Sequence, residues 1–200
     1  MQKYLYRAIF IVFFILSGCA TLPSSSAPHN VYMSWQTRIR QLNTIQKWQL
    51  QGAMAISTTQ QSATAELNWR QLSAVRYQIN LFGPIGIGSA EIKGNSQIVV
   101  LKTGRGERYQ SKTPERLVYK ALGWNLPVSS LFYWIRGLPV PNVPAQQRFD
   151  AYQHLSILNQ QGWSIRYLRY TGVRKFDLPS LMQLQKSGVA LKIVIKTWAI

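Results

Sequence analysis

Trp48-Gln49-Leu50-Gln51-Gly52-Ala53-Met54-Ala55-Ile56 is the stretch on which the fold turns. Its large apolar residues stand at every second position, the period of a strand with one buried face. The same alternation returns at Ala63, Ala65, Leu67 and Trp69, and again at Val75, Tyr77, Ile79 and Leu81, with short polar links between. Three half-buried strands joined by short links predict an antiparallel meander. Strands over 89–93, 97–102 and 107–110 extend it, separated by Gly94-Asn95 and Thr103-Gly104-Arg105-Gly106 turns.

Outside this sheet the period changes. Upstream, Val31, Trp35, Ile39, Leu42 and Ile45 recur every three or four residues behind Asn30, which predicts an amphipathic helix ending near Lys47. Downstream, Thr113-Pro114 opens a helix that runs to about Leu122 with Gly123 as its stop. A second short helix over 128–136 carries Leu131, Phe132, Trp134 and Ile135 and is unusually apolar. After the Pro-rich 137–144 crossover, strands are expected at 149–158, 163–170, 181–186 and 189–198. The fold class is therefore mainly β with helices, an α+β chain of about ten strands in local hairpins. A sheet of that size curls, with helices on its concave side.

The chain has 200 residues, a formal charge of +17, 46% apolar residues and one cysteine. Lys3 and Arg7 precede a nine-residue apolar run, Ala8 to Leu16, and then small residues, the layout of a secretory leader. A transmembrane helix needs about 20 apolar residues, so the run is too short for a permanent span. Leu16-Ser17-Gly18-Cys19 resembles the lipobox of bacterial lipoproteins. That resemblance implies removal of residues 1–18 and acylation of Cys19 with a diacylglycerol on sulfur and a fatty acid on the new amine. Three chains anchor a protein stably. Ala20 in place of Asp implies sorting to the outer membrane, facing the periplasm. Residues 19–30, rich in Ser and Pro, then form a flexible tether, and 31–200 the folded domain.

Loss of Lys3 and Arg7 with the leader leaves +15 on the mature chain, which points to anionic partners. Export argues against nucleic acid and leaves anionic lipid, lipopolysaccharide, peptidoglycan or an acidic protein. With Cys19 the only cysteine, no disulfide framework or thiolate metal site is available. His29 and His154 and six scattered acids form no recognisable catalytic constellation, and no cofactor is implied.

Several segments together carry a closer resemblance. Trp48-Gln-Leu-Gln-Gly52, Leu67-Asn-Trp69, Leu81-Phe-Gly-Pro-Ile-Gly86, Gly123-Trp-Asn-Leu-Pro-Val128, Tyr133-Trp-Ile-Arg-Gly-Leu-Pro139, Gly162-Trp163 and the terminal Ile-Lys-Thr-Trp198 resemble, in this order, the LolB family of outer-membrane lipoprotein receptors. Membership implies an incomplete antiparallel barrel of about eleven strands with a helical lid over a hydrophobic cavity. It implies a monomer that takes the acyl chains of cargo lipoproteins from a periplasmic LolA-like carrier and delivers them to the inner leaflet of the outer membrane. Expected cavity residues are Met54, Ile56, Leu67, Trp69, Tyr77, Ile79, Leu81, Ile98, Val100, Leu131, Trp134 and Ile135. In the loop Gly83-Pro84-Ile85-Gly86, the resemblance makes Ile85 the apolar residue that promotes membrane insertion, where the family more often has leucine. A cell-wall or lipopolysaccharide tether is the rival reading; it fits the charge and the anchor but leaves the apolar helix and Ile85 without a purpose.

Overall fold

The computed structural model describes residues 26–83 and 88–200. The leader, Cys19 and the loop residues Pro84, Ile85 and Gly86 lie outside the described residues. One antiparallel sheet of eleven strands dominates, and its two edge strands do not pair with each other. In chain order the elements are α1 (Trp35–Asn43), β1 (Trp48–Ser57), β2 (Ser62–Gln71), β3 (Tyr77–Phe82), β4 (Ser89–Gly94), β5 (Val99–Thr103) and β6 (Arg108–Ser111). Then come α2 (Pro114–Leu122), α3 (Val128–Trp134), β7 (Ala145–Phe149), β8 (Leu155–Gln160), β9 (Trp163–Val173), β10 (Phe176–Lys186) and β11 (Val189–Ala199). The spatial order is β6-β5-β4-β3-β2-β1-β11-β10-β9-β8-β7, so two meanders meet where β1 pairs with β11. The expected incomplete barrel is thus present. None of the described helices is long and apolar enough to cross a membrane.

Alternation fixes which face is buried. Trp48, Leu50, Met54 and Ile56 on β1 point inward, as do Leu67 and Trp69 on β2, Ile79 and Leu81 on β3, and Leu191, Ile193 and Ile195 on β11. Helices α2 and α3 cover this face with Leu117, Val118, Leu131 and Ile135. At Gly52 the chains approach so closely that a Cβ would lie 2.0 Å from the Val194 carbonyl oxygen, at the point where the β1–β11 register shifts.

Four expectations need correction. The first helix starts at Trp35, capped by the Ser34 hydroxyl on the Thr37 amide, and Asn30 instead takes a positive φ of 52°. The single strand expected over 149–158 is two, because Asp150 turns the chain: its Oδ1 accepts from the amides of Tyr152 and His154 at 2.9 and 2.8 Å. Strand β10 begins at Phe176 and runs through Pro179, which is tolerated because the register with β9 shifts there. The end of the expected tether also lies on the body, with Ser26 bridging to Gly172 on β9.

Candidate functional site

Between the concave face and the α2–α3 layer lies an apolar slot. Met54, Leu67, Trp69, Ile79, Leu81, Leu131 and Ile135, all among the residues the resemblance implies for the cavity, line it. Ile92, Val118, Trp124, Leu126, Val128, Leu191 and Ile193 complete the wall and were not anticipated. Ile92 and Ile193 carry a signal that could have found them, since they share the inward phase of their strands.

Five expected residues do not reach the slot. Ile56 is buried but borders a separate cleft between β2, β1 and β11. Tyr77 sits at the rim beside Trp69, Phe132 and Tyr133, its hydroxyl pKa raised by burial and then by Glu115. Trp134 is fully buried, yet its Nε1 donates to Gln160 Oε1 at 2.9 Å, which makes it a fastening of α3 to β8. Ile98 and Val100 face outward. The Asn95 side chain accepts from the amides of Gln97 and Ile98 at 2.8 and 2.9 Å, and this turn starts the strand so that Val99 and Leu101 point in.

The slot is closed. Its volume is about 40 Å³, little above the roughly 30 Å³ share of one water in the liquid, so the open cavity implied by the resemblance is filled by the lid's own side chains. The physical reason is the cost of a void. At about 24 cal/mol per Å³, a dry hollow of about 400 Å³ would cost about 10 kcal/mol, comparable with the whole stability of a domain. A layer of helices packed directly on the sheet avoids that cost.

The lid is fastened at both ends. Its C-terminal end is tied down by Arg136, 2% exposed, whose Nη1 donates to the Ile45 carbonyl at 3.1 Å and whose Nε donates to Phe132 O at 3.1 Å. The guanidinium lies over the Phe132 ring, 4.3 Å from its centroid, and burial lowers its pKa to about 10, leaving it charged at neutral pH. Tyr167 adds a bond from its hydroxyl to Trp134 O at 2.9 Å. At the N-terminal end of α3 the Ser129 amide donates to Glu115 Oε1 at 2.7 Å, and the Ser130 hydroxyl donates to Gln161 Oε1 at 2.6 Å. Gly123 and Gly137, both at positive φ, bracket the segment between α2 and the crossover.

Beyond the lid's edge, β3 and β4 are joined through the Gly83 loop. The Gly83 amide donates to the Gly88 carbonyl at 3.0 Å and closes the loop's base, and Phe82 beside it is half exposed.

A second polar cluster lies near the β9–β10 turn. The His29 amide and Nδ1 both meet Asp177 Oδ1 at 2.8 Å; His154 joins Asp177 Oδ2 through Nε2 at 3.0 Å and Asp150 Oδ2 through Nδ1 at 2.8 Å. Burial pushes the Asp177 carboxyl up, but the bonds from His29 and His154 outweigh it and hold its pKa below the ordinary range. The bonds clip residues 26–29 to the body. Among the described residues no group of three or more His, Cys, Asp or Glu is placed to hold a metal ion.

Residues 46–198 match a family described as outer membrane lipoprotein LolB. The chain is 38% identical over 193 residues to the outer-membrane lipoprotein LolB of Coxiella burnetii strain RSA 493, covering 96% of this chain and 91% of that one. It is 37% identical over 186 residues to the LolB of Pseudomonas aeruginosa strain PAO1, covering 92% and 90%. In fold it is similar to a LolA superfamily protein from Nitrosomonas europaea, with a TM-score of 0.51 at 7% identity over 84% of this chain and 94% of that one. A putative outer membrane lipoprotein-sorting protein domain from Vibrio parahaemolyticus gives 0.51 at 8% identity over 83% and 93%.

Proposed function

This chain belongs to the LolB family, and from that premise we propose that it is an outer-membrane-anchored receptor for lipoproteins, facing the periplasm. It takes the acyl chains of its cargo from a LolA-like carrier into the slot beneath α2 and α3 and releases them to the inner leaflet of the outer membrane. The observation that carries this reading is the slot itself: fourteen residues line it, all of them apolar or tryptophan, under the α2–α3 layer.

The energetics require direct handover. Three chains with about 45 methylenes, at about 0.8 kcal/mol each, hide about 36 kcal/mol from water, so release into the periplasm is negligibly slow. Lifting α3 exchanges lid-to-sheet contacts for chain-to-sheet contacts of the same apolar kind. The exchange is close to neutral, which lets the cargo move on to the bilayer. Ile85 works at the exit: burying one isoleucine supplies about 1.5 to 3 kcal/mol, too little to anchor the body and enough to bias the mouth toward the membrane. No catalytic role is part of this reading.

The test mixes the mature body with a carrier bearing a radiolabelled lipoprotein. Label should pass to this protein and then to liposomes; label that stays with the carrier removes the assignment. Ile85→Glu should accept label normally and fail to deliver it to liposomes, and normal delivery by that variant would remove the loop from the mechanism.

A further inference from the structure

The sheet's outer face is charged unevenly. Strands β7 to β11 carry Arg148, Arg166, Arg169, Lys186, Lys192 and Lys196, and one carboxylate, Asp177, which is buried in the clip with His29 and His154. Arg148, Arg166, Arg169, Lys192 and Lys196 are all exposed. Among the described residues, the single pairing of a lysine or arginine with a carboxylate is Lys93 with Glu91, in the other half of the sheet. The cations of β7 to β11 are left unneutralised by the protein.

Register places them side by side. Arg148 pairs with Ile157, Ile157 with Arg166, Arg166 with Gln183, and Gln183 with Lys192, one row across five strands. At about 4.8 Å per strand the row spans about 19 Å. A second row runs Arg169, Leu181, Val194, and Leu168 beside it is 44% exposed. The face thus mixes fixed positive charge with modest apolar surface.

The N-terminal segment docks along the edge of β9 that borders this face. Ser26, Ala27 and Pro28 line a cleft of about 800 Å³ together with Leu168, Arg169 and Lys196. The Ser26 carbonyl accepts from Thr171 Oγ1 at 2.8 Å, and Asp177 holds His29. Six residues, 20–25, separate that docked segment from Cys19, a reach of about 25 Å at full extension. If Cys19 is the lipid anchor, as the proposed function has it, the clip keeps this basic face within a short distance of the bilayer.

We propose that the outer face of β9 to β11, built on Arg166, Arg169, Lys192 and Lys196, rests on anionic phospholipid headgroups of the membrane that holds the anchor. Charge complementarity and the docked tether select lipid over a soluble acidic protein, because the tether brings the bilayer to this face while the slot lies on the opposite one. Each lysine or arginine at such a surface is worth about fivefold in binding. Contact holds the body in the orientation that receives cargo, with the lid free, and is exchanged for contact through the Ile85 loop at delivery.

The test uses residues 20–200, whose buried core lies wholly between Leu42 and Ile195 and so folds without the anchor. Binding is measured by co-sedimentation with vesicles of phosphatidylcholine, with and without phosphatidylglycerol. The chain should bind the anionic vesicles, bind less as salt rises, and ignore the neutral ones. Replacing Arg166, Arg169, Lys192 and Lys196 together by Gln should weaken binding several hundredfold. The same replacement at Lys102, Arg105, Arg108 and Lys112, on the other half of the sheet, should cost no more than tenfold. Equal losses in the two variants, or equal binding to neutral vesicles, would overturn the proposal. So would a β9–β11 variant that binds vesicles normally but no longer takes cargo from a carrier, since the face would then be a protein dock. No cargo enters the vesicle assay, so a failure here is separable from a failure of acyl-chain transfer.

Discussion

At the scale of single residues, Gly52 and Asp177 carry unusual weight. Gly52 has no room for a side chain because the Val194 carbonyl and Ile195 Cα of the neighbouring strand occupy the place a Cβ would take. Gly52→Ala must push apart the strand pair that joins the two meanders. A cost of about 1 to 3 kcal/mol, or somewhat more, is expected as a lower urea midpoint with an unchanged slope. Asp177 faces two imidazoles, and His154 faces two carboxylates. His154 bridges the two carboxylates through its two ring nitrogens, at 2.8 Å from Asp150 and 3.0 Å from Asp177. Since the folded Asp177 pKa lies below its unfolded value near 3.9, its stabilisation is present above pH 4 and is lost as pH falls through the folded value. Urea midpoints at neutral pH and near pH 3 should differ less for Asp177→Asn than for the parent, and an equal difference would show the clip to be irrelevant to acid stability.

At the scale of elements, the proposed function requires the lid to leave its seat. Leu131 and Leu158 are both buried leucines, but Leu131 faces the slot from α3 and Leu158 lies in the core under β8, away from it. Replacing either by Ala should cost about 2 to 5 kcal/mol. Only Leu131→Ala should also enlarge the slot and tighten binding of a fluorescent fatty-acid probe; equal probe binding by both variants would place the lipid elsewhere. The elements also show where sequence reading works. Strand β1 is legible because its alternation is uninterrupted, and α3 because an apolar run sits between Pro127 and Gly137. Gln97-Ile-Val-Val-Leu101 is apolar at four successive positions and so carries no phase; the Asn95 turn decides it, and Ile98 and Val100 come out on the surface. The turn at 150–154 escapes for a related reason, since it is made by one carboxylate capping two amides and not by glycine or proline.

At the scale of the whole molecule, the proposed function pairs an open sheet with a separable helical layer, which reconciles stability with a ligand larger than any hollow the protein could keep empty. The curved sheet and its helices are readable from two periodicities, 2.0 on the strands and 3.6 on the helices. The closure of the slot is not readable, because it follows from how side chains of α2, α3 and the strands fill one another's gaps. Nor is the pairing of His29 with Asp177, whose partners stand 148 residues apart. The central claim is that hydrocarbon replaces the lid against the concave face. A triacylated lipopeptide carrying a photoreactive group in its acyl chains, bound to the protein and irradiated, tests this most directly. Adducts are expected on slot residues such as Met54, Leu81, Leu131 and Ile193; adducts confined to the outer face of the sheet, or none at all, would contradict it.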